Sequence, residues 1–140
     1  MRKTLGWSVL AFTAVFGLTV AANEKPTQEF MDLMKSNAAT TGPMGLRGHV
    51  NAKDYDAIAK DAATLKDNFA KIEAFFTQKK WQDAIDFAKA GGKAAAELEA
   101  AAKAKNDGAI TTAQMGITPA CGGCHMAHRE RLPDGSFQIK

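Results

Sequence analysis

The sequence predicts an all-α protein, an antiparallel four-helix bundle preceded by an N-terminal leader. Three observations carry this. Ile58, Ala62, Leu65, Phe69, Ile72 and Phe76 recur at alternating spacings of four and three residues, which places them on one buried stripe of a helix. Three further segments of helical length stand apart from this one, bounded by Thr41-Gly42-Pro43, Lys79-Lys80-Trp81 and Asn106-Asp107-Gly108. Finally, the chain shows no run of the strict apolar–polar alternation that marks a half-buried strand. Amphipathic helices joined by short connections form up-and-down bundles.

The leader comprises residues 1–22. Met1-Arg2-Lys3 is basic, Leu5 to Val20 is apolar, and Ala21-Ala22 follow with small side chains. This is the layout of a secretory signal peptide, and Val20 and Ala22 fit a small-x-small cleavage site after Ala22. An uncleaved anchor is the alternative, because the run approaches the roughly 20 residues that span a bilayer. Thr13, Gly17, Thr19 and the cleavage-type ending favour removal. Residues 23–140 then form one domain, long enough to bury a core and too short for two. Without Arg2 and Lys3 the 18 basic residues fall to 16 against 15 acidic ones. No basic stripe with interleaved aromatics appears, so nucleic acid is not an expected partner. Nor is the membrane, once the leader is removed.

The first helix is expected from Gln28 to about Ala39, with Thr27 as its cap and Phe30, Leu33 and Met34 as a narrow apolar stripe. Thr41-Gly42-Pro43 breaks it, because proline lacks a donor and restricts the residue before it. A glycine-rich connection holding Met44, Leu46 and His49 is expected from there to Asn51. The second helix carries the long stripe, with Asp54 and Asp56 at its positive end and Lys60, Lys66 and Lys71 on a solvated face. A third helix is expected from about Gln82 to Lys105, its stripe made of Ile85, Ala88, Gly92, Ala95, Leu98 and Ala102. Gly91-Gly92 costs about 1 kcal/mol per glycine relative to alanine, and permits either close packing or a kink. Asn106-Asp107-Gly108 is expected to end this helix. The last helical region runs from about Ala109 to Arg131. Pro119 either kinks it or opens a new segment capped by Thr118, and Leu132-Pro133-Asp134-Gly135 closes it with a turn.

The residues with chemistry are Cys121-Gly122-Gly123-Cys124-His125. Cys-x-x-Cys-His is the attachment signature of c-type haem. On a helix, residues three and four apart share a face, so both thiols and the imidazole project to one side. The thiols can then add to the two vinyl groups while the imidazole reaches the iron, and the two small glycines let the macrocycle approach the backbone. A disulfide is the first alternative for two cysteines in an exported chain. A thioredoxin-type redox pair is another, but it belongs in a βαβ context that this chain lacks. His125 and the leader favour haem.

With these residues in place, the chain resembles the class II c-type cytochromes, the group of cytochrome c′ and its low-spin, methionine-ligated relatives. The attachment motif lies near the C-terminus in the last helix. It continues as Met126-Ala127-His128-Arg129, similar to the family's Cys-x-x-Cys-His-x-x-aromatic-Arg. Leu33-Met34-Lys35-Ser36-Asn37 resembles the low-spin members around their axial methionine. The resemblance runs through residues 23–140 in order and length. It departs at His128, which replaces an aromatic residue, and at Gly42-Pro43, which interrupts a first helix that relatives often continue.

What the resemblance implies is a single haem c held by Cys121 and Cys124, with His125 as the proximal iron ligand and Met34 as the distal one. Met31, Met44 or a vacant position are the alternatives to Met34, since methionine also fills cores. Arg129 is implied to line the haem pocket or to pair with a propionate. His49 is read as a surface histidine in the loop, and His128 lies on the wrong side to reach the distal position. Phe137 and Ile139 in the tail are candidates to cover a haem edge. Haem iron held by His and Met suits electron transfer, and an open distal side suits small-ligand binding. The expectation is therefore a periplasmic electron carrier, not an enzyme, that meets redox partner proteins. A five-coordinate protein binding nitric oxide or carbon monoxide is the alternative. A homodimer is a state the resemblance allows.

Overall fold

The computed structural model describes residues 23–140 and shows an all-α bundle with a small terminal hairpin. The expected signal peptide lies outside the described residues. The helices are α1 (Gln28–Thr41), α2 (Leu46–Ala52), α3 (Tyr55–Lys79), α4 (Gln82–Lys103) and α5 (Asp107–His128). Two short strands follow, β1 (Arg129–Arg131) and β2 (Phe137–Ile139). No helix among the described residues is long and apolar enough to cross a membrane.

The core is built on α3. All six stripe residues, Ile58, Ala62, Leu65, Phe69, Ile72 and Phe76, are buried, and each large one contributes about 1.5–3 kcal/mol by leaving water. α4 answers with small side chains, Ala84, Ala88, Ala94, Ala95, Ala101 and Ala102, beside Ile85 and Leu98. Small residues let the two axes approach, and α3–α4 is the most extensive pairing in the fold, followed by α4–α5. The connections are only Lys80-Trp81 and Ala104–Asn106, so consecutive helices run antiparallel. Gly91, not Gly92, makes the close approach. A Cβ at Gly91 would stand 2.3 Å from the Phe69 ring, whereas one at Gly92 would stand an ordinary 3.6 Å from Phe69 Cβ.

α1 packs on α3 through one aromatic and one polar contact. Phe30 stacks on Phe75 at 4.2 Å between ring centroids and meets Phe76 edge-on. Asn68 on α3 donates to Asn37 Oδ1 at 2.8 Å and to Ser36 Oγ at 3.0 Å. Asn37 and Asn68 are both buried, and their mutual bond removes the penalty of burying amides without partners. This pair fixes the register of α1, since a one-residue rotation would strand both side chains.

The helix starts follow the caps. Thr27 accepts from the Phe30 amide, Asp54 from Ala57 and Asn106 from Ala109, each filling one orphan donor. The ends use lysine. Lys53, Lys80 and Lys105 adopt left-handed conformations with φ of 54°, 59° and 52°, positions where glycine is the usual residue.

The structure corrects several expectations and decides between the two readings of Pro119. The connection after Pro43 is not a loop throughout, because α2 forms there, held by buried Leu46. Asn106 does not end α4. Lys105 does so, and Asn106 caps α5 instead. Pro119 opens no new segment, because α5 runs through it. The last helix stops at His128, and Arg129–Arg131 becomes a strand antiparallel to Phe137–Ile139. Gly135 makes the connecting turn with a φ of 84°. Ile139 also exchanges two backbone hydrogen bonds with Glu24, at 2.8 and 2.9 Å. Its side chain belongs to the core, so it is not left over to cover a cofactor edge.

Two predictions follow from this packing. Gly91→Ala should lower stability by about 1–3 kcal/mol through overpacking against Phe69, while Gly92→Ala should raise it by up to about 1 kcal/mol; urea unfolding of the two variants reads both signs. Glu99 accepts from Lys103 and from Lys66 across the α3–α4 interface, at 2.5 Å each. These bonds lower its pKa to about 2. A depressed carboxylate stabilises the fold above its unfolded pKa and loses that effect as pH falls through the folded value. The stability gap between wild type and Glu99→Gln should therefore persist at pH 6 and close between about pH 4 and 2.

Candidate functional site

Cys121, Cys124 and His125 occupy the last two turns of α5. Two residues earlier, Pro119 has no amide hydrogen to offer the Met115 carbonyl. Both cysteines are free and half-buried, packed against the edge of the core. The two glycines between them have different jobs. Gly123 faces α4, where any Cβ would lie 2.3 Å from the Phe87 ring; a Cβ at Gly122 would meet nothing within 4 Å. The same turn is therefore pressed against α4 on one side and open on the other.

That open side is one wall of a cleft of about 320 Å³, lined by Gln114, Ile117, Thr118, Cys121 and Gly122 from α5, and by Thr41, Leu46 and Arg47 from the end of α1 and from α2. α1 and α5 have no substantial direct packing, and the cleft occupies the gap. Leu46 and Ile117 are its apolar parts, and both are buried. Arg47 is the only charged residue in the lining.

The thiols are not activated. Burial raises the pKa of Cys121. Burial, then Cys121 and then Asp83 push Cys124 up to about 11. Catalytic thiol–disulfide cysteines have depressed values, set by nearby cations or a helix N-terminus. This environment is the reverse, since burial raises both thiols. His125 is lowered, first by burial and then by the Arg129 charge. The shift favours the neutral imidazole, which is the form that ligates metals.

The remaining sequence candidates are dispersed around this turn. Met34 lies on α1, half-buried against the core, and is not among the residues lining the cleft. Met31, Met44, Met115 and Met126 are exposed. Arg129 starts β1, where its guanidinium lies 3.5 Å from the Phe137 ring centroid. His128 stacks on Trp81 at 5.0 Å, and its Nε2 is 2.9 Å from Asp83 Oδ2. The imidazole thus serves as an aromatic plate with a polar edge, tying the end of α5 to the start of α4. His49 is not a loop histidine. It sits on α2 with Nδ1 2.7 Å from Asp61 Oδ2 on α3. Phe87 is the aromatic that meets the Cys121–His125 turn, on its packed side.

Arg47, Thr41 and Gln114 escaped the sequence reading. The signal available was Gly42-Pro43-Met44-Gly45, which breaks α1 and directs the chain toward α5. Its glycines also gave the segment a loop-like composition.

Two thiols and a neutral imidazole on one helix are a donor set that fits a haem, although of the three only Cys121 lines the cleft and Cys124 and His125 do not. That group is a flat apolar macrocycle with two carboxylates, able to take two thioether links and an axial nitrogen. No family model, curated protein or solved structure matches the chain.

With both thiols free, their raised pKa values make a specific prediction. Alkylation by iodoacetamide should be slow at pH 7 for both cysteines. The Cys124 rate should climb only as pH nears 11, later than that of an unhindered thiol of pKa about 8.5. Mass spectrometry of the tryptic peptide across pH 7–11 checks this.

Proposed function

We propose that the protein is a class II c-type cytochrome, a periplasmic monohaem electron carrier. The observation that supports this best is the two-sided turn at Cys121–His125. Its thiols and imidazole stand together on α5, its Gly122 side opens on the cleft, and its Gly123 side is held by Phe87. Bound there, haem supplies a one-electron iron couple whose potential the protein sets through ligands and burial.

The chain's own residues have distinct parts in this reading. Cys121 and Cys124 hold the group to α5, and their protonated thiols are protected from stray oxidation until they are used. His125 presents a neutral nitrogen as the proximal ligand. Met34 is the proposed distal ligand, its helix kept in register by the Asn37–Asn68 bond and the Phe30–Phe75 stack. Leu46 and Ile117 keep water from the cleft floor. Export through the leader delivers the chain to the compartment where haem is attached and redox partner proteins are met. None of this calls for substrate chemistry, and the protein is not proposed as an enzyme.

A second reading follows from Met34, which lies half-buried against the core on α1, as a methionine that only fills space also does. On that reading the distal position is open and binds nitric oxide or carbon monoxide.

The visible spectrum of the exported protein separates the two. Sharp low-spin bands that become high-spin in Met34→Ala support the carrier. Broad high-spin bands with rapid stoichiometric carbon monoxide binding in wild type support the open site. Cys121→Ala/Cys124→Ala should abolish the haem stain that survives denaturing electrophoresis. A wild-type chain exported alongside the attachment machinery and still unstained would overturn both readings.

A further inference from the structure

We infer that the cleft between α2 and α5 is a binding site in its own right, for a small monocarboxylate with a short aliphatic chain. It is separate from the proposed haem site. Of the three residues assigned to that group only Cys121 reaches the cleft, and Cys124 and His125 stand outside its lining. A volume of about 320 Å³ lies at the low end of the range for small-molecule sites, which suits a chain of a few carbons. Two features set the chemistry of the occupant, an apolar floor and one unmatched positive charge. Leu46 and Ile117 make the floor and are 2% and 3% exposed. Arg47 is the charge, exposed at the rim and the single ionised side chain of the lining. Among the described residues it makes no ion pair.

The α5 wall explains why that charge goes unmatched within the cleft. After Asp107, α5 carries no aspartate, glutamate, lysine or arginine, so nothing on this wall neutralises the guanidinium. What the wall offers is polar and uncharged. Gln114, Thr118 and Cys121 follow at spacings of four and three residues, which aligns them on one face, and all three line the cleft. The Gln114 amide and the Thr118 hydroxyl are neutral donors, able to share a carboxylate's oxygens with the arginine. They lie two turns and one turn before Cys121, so the polar part of the cleft is set back from the haem residues. The structure of α2 holds Arg47 in place. Leu46 beside it packs into the core, and His49 is tied to Asp61 on α3. The chain also doubles back so tightly that a Cβ at Gly45 would stand 2.4 Å from the Thr40 carbonyl oxygen, and one at Gly48 2.3 Å from that of Pro43. An arginine presents a rigid fork that matches a carboxylate with two parallel bonds, and its charge persists at any working pH. One fork with no second cation fits a monoanion, and the apolar floor fits an aliphatic body.

The test is calorimetric titration of the exported full chain with butanoate, hexanoate, 1-hexanol and inorganic phosphate at fixed ionic strength. Wild type should bind hexanoate at least about tenfold more tightly than 1-hexanol, the size expected for a charge-assisted hydrogen bond. Hexanoate should also bind about tenfold more tightly than butanoate, because two more methylenes leave water. Arg47→Gln should bring hexanoate down to the affinity of 1-hexanol, leaving the alcohol within about twofold of wild type. Gly122→Leu should abolish binding of both, since a Cβ at this position meets nothing within 4 Å and its side chain grows into the cleft without a clash. Both variants are expected to fold, as Arg47 is exposed and leucine favours a helix over glycine; far-UV circular dichroism checks this. Wild type that binds hexanoate no more tightly than 1-hexanol overturns the assignment, and so does a preference that survives in Arg47→Gln. Phosphate binding in the absence of hexanoate binding overturns the carboxylate class. Hexanoate binding unchanged in folded Gly122→Leu puts the ligand elsewhere and overturns the cleft as its site.

Discussion

The contact on which the site depends is the Phe87 ring against the bare backbone of Gly123. One helical turn has to be packed and open at once, and a glycine on the packed side makes that feasible. With any side chain at 123, α5 would have to move away from α4, and the face carrying Cys121 and Gly122 would shift relative to α2. Gly91 against Phe69 does the same between α3 and α4. The bundle is thus assembled by aromatic rings seated on glycines, with alanines filling the intervening contacts. It gains close approach at the cost of helix propensity at those glycines.

The open side of the turn is set by the opposite tendency. α1 is short and anchored mainly to α3, by stacked rings and by one buried pair of amides. It is broken at Gly42-Pro43 before it can close on α5. The chain then spends α2 bridging the gap, and the cleft is what remains between α2 and α5. Its shape is a consequence of where α1 stops.

Much of this was legible because it is local. The α3 stripe repeats six times on one template, and all six residues are buried. The Thr27 cap acts on an amide three residues away. Cys121, Cys124 and His125 announce their shared face by spacing alone. The parts that were not legible are held by distant partners. α2 looks like loop because its glycines permit tight turns, and its support comes from Leu46 in the core and from Asp61 on another helix. Its end, like those of α3 and α4, falls on a left-handed lysine, where no glycine marks the boundary. Arg129–Arg131 carries no strand pattern, since three charged residues become a strand only by pairing with the tail. The two walls of the cleft are far apart in sequence, so spacing could reveal the α5 wall and not the one facing it. Met34 shows the same limit: its place on an apolar stripe was readable, and its relation to the cleft was not.

The pairing of Glu24 with Ile139 joins the two ends of the described chain beside the end of α5. Contacts among α3, α4 and α5 connect consecutive elements, but this pairing encloses more than a hundred residues. The entropy of closing a loop rises with its length, and contacts between distant residues are the slow ones to form. On these grounds the helices assemble first and the ends of the chain meet last. The turn bearing Cys121–His125 therefore exists as helix before the hairpin beside it is sealed.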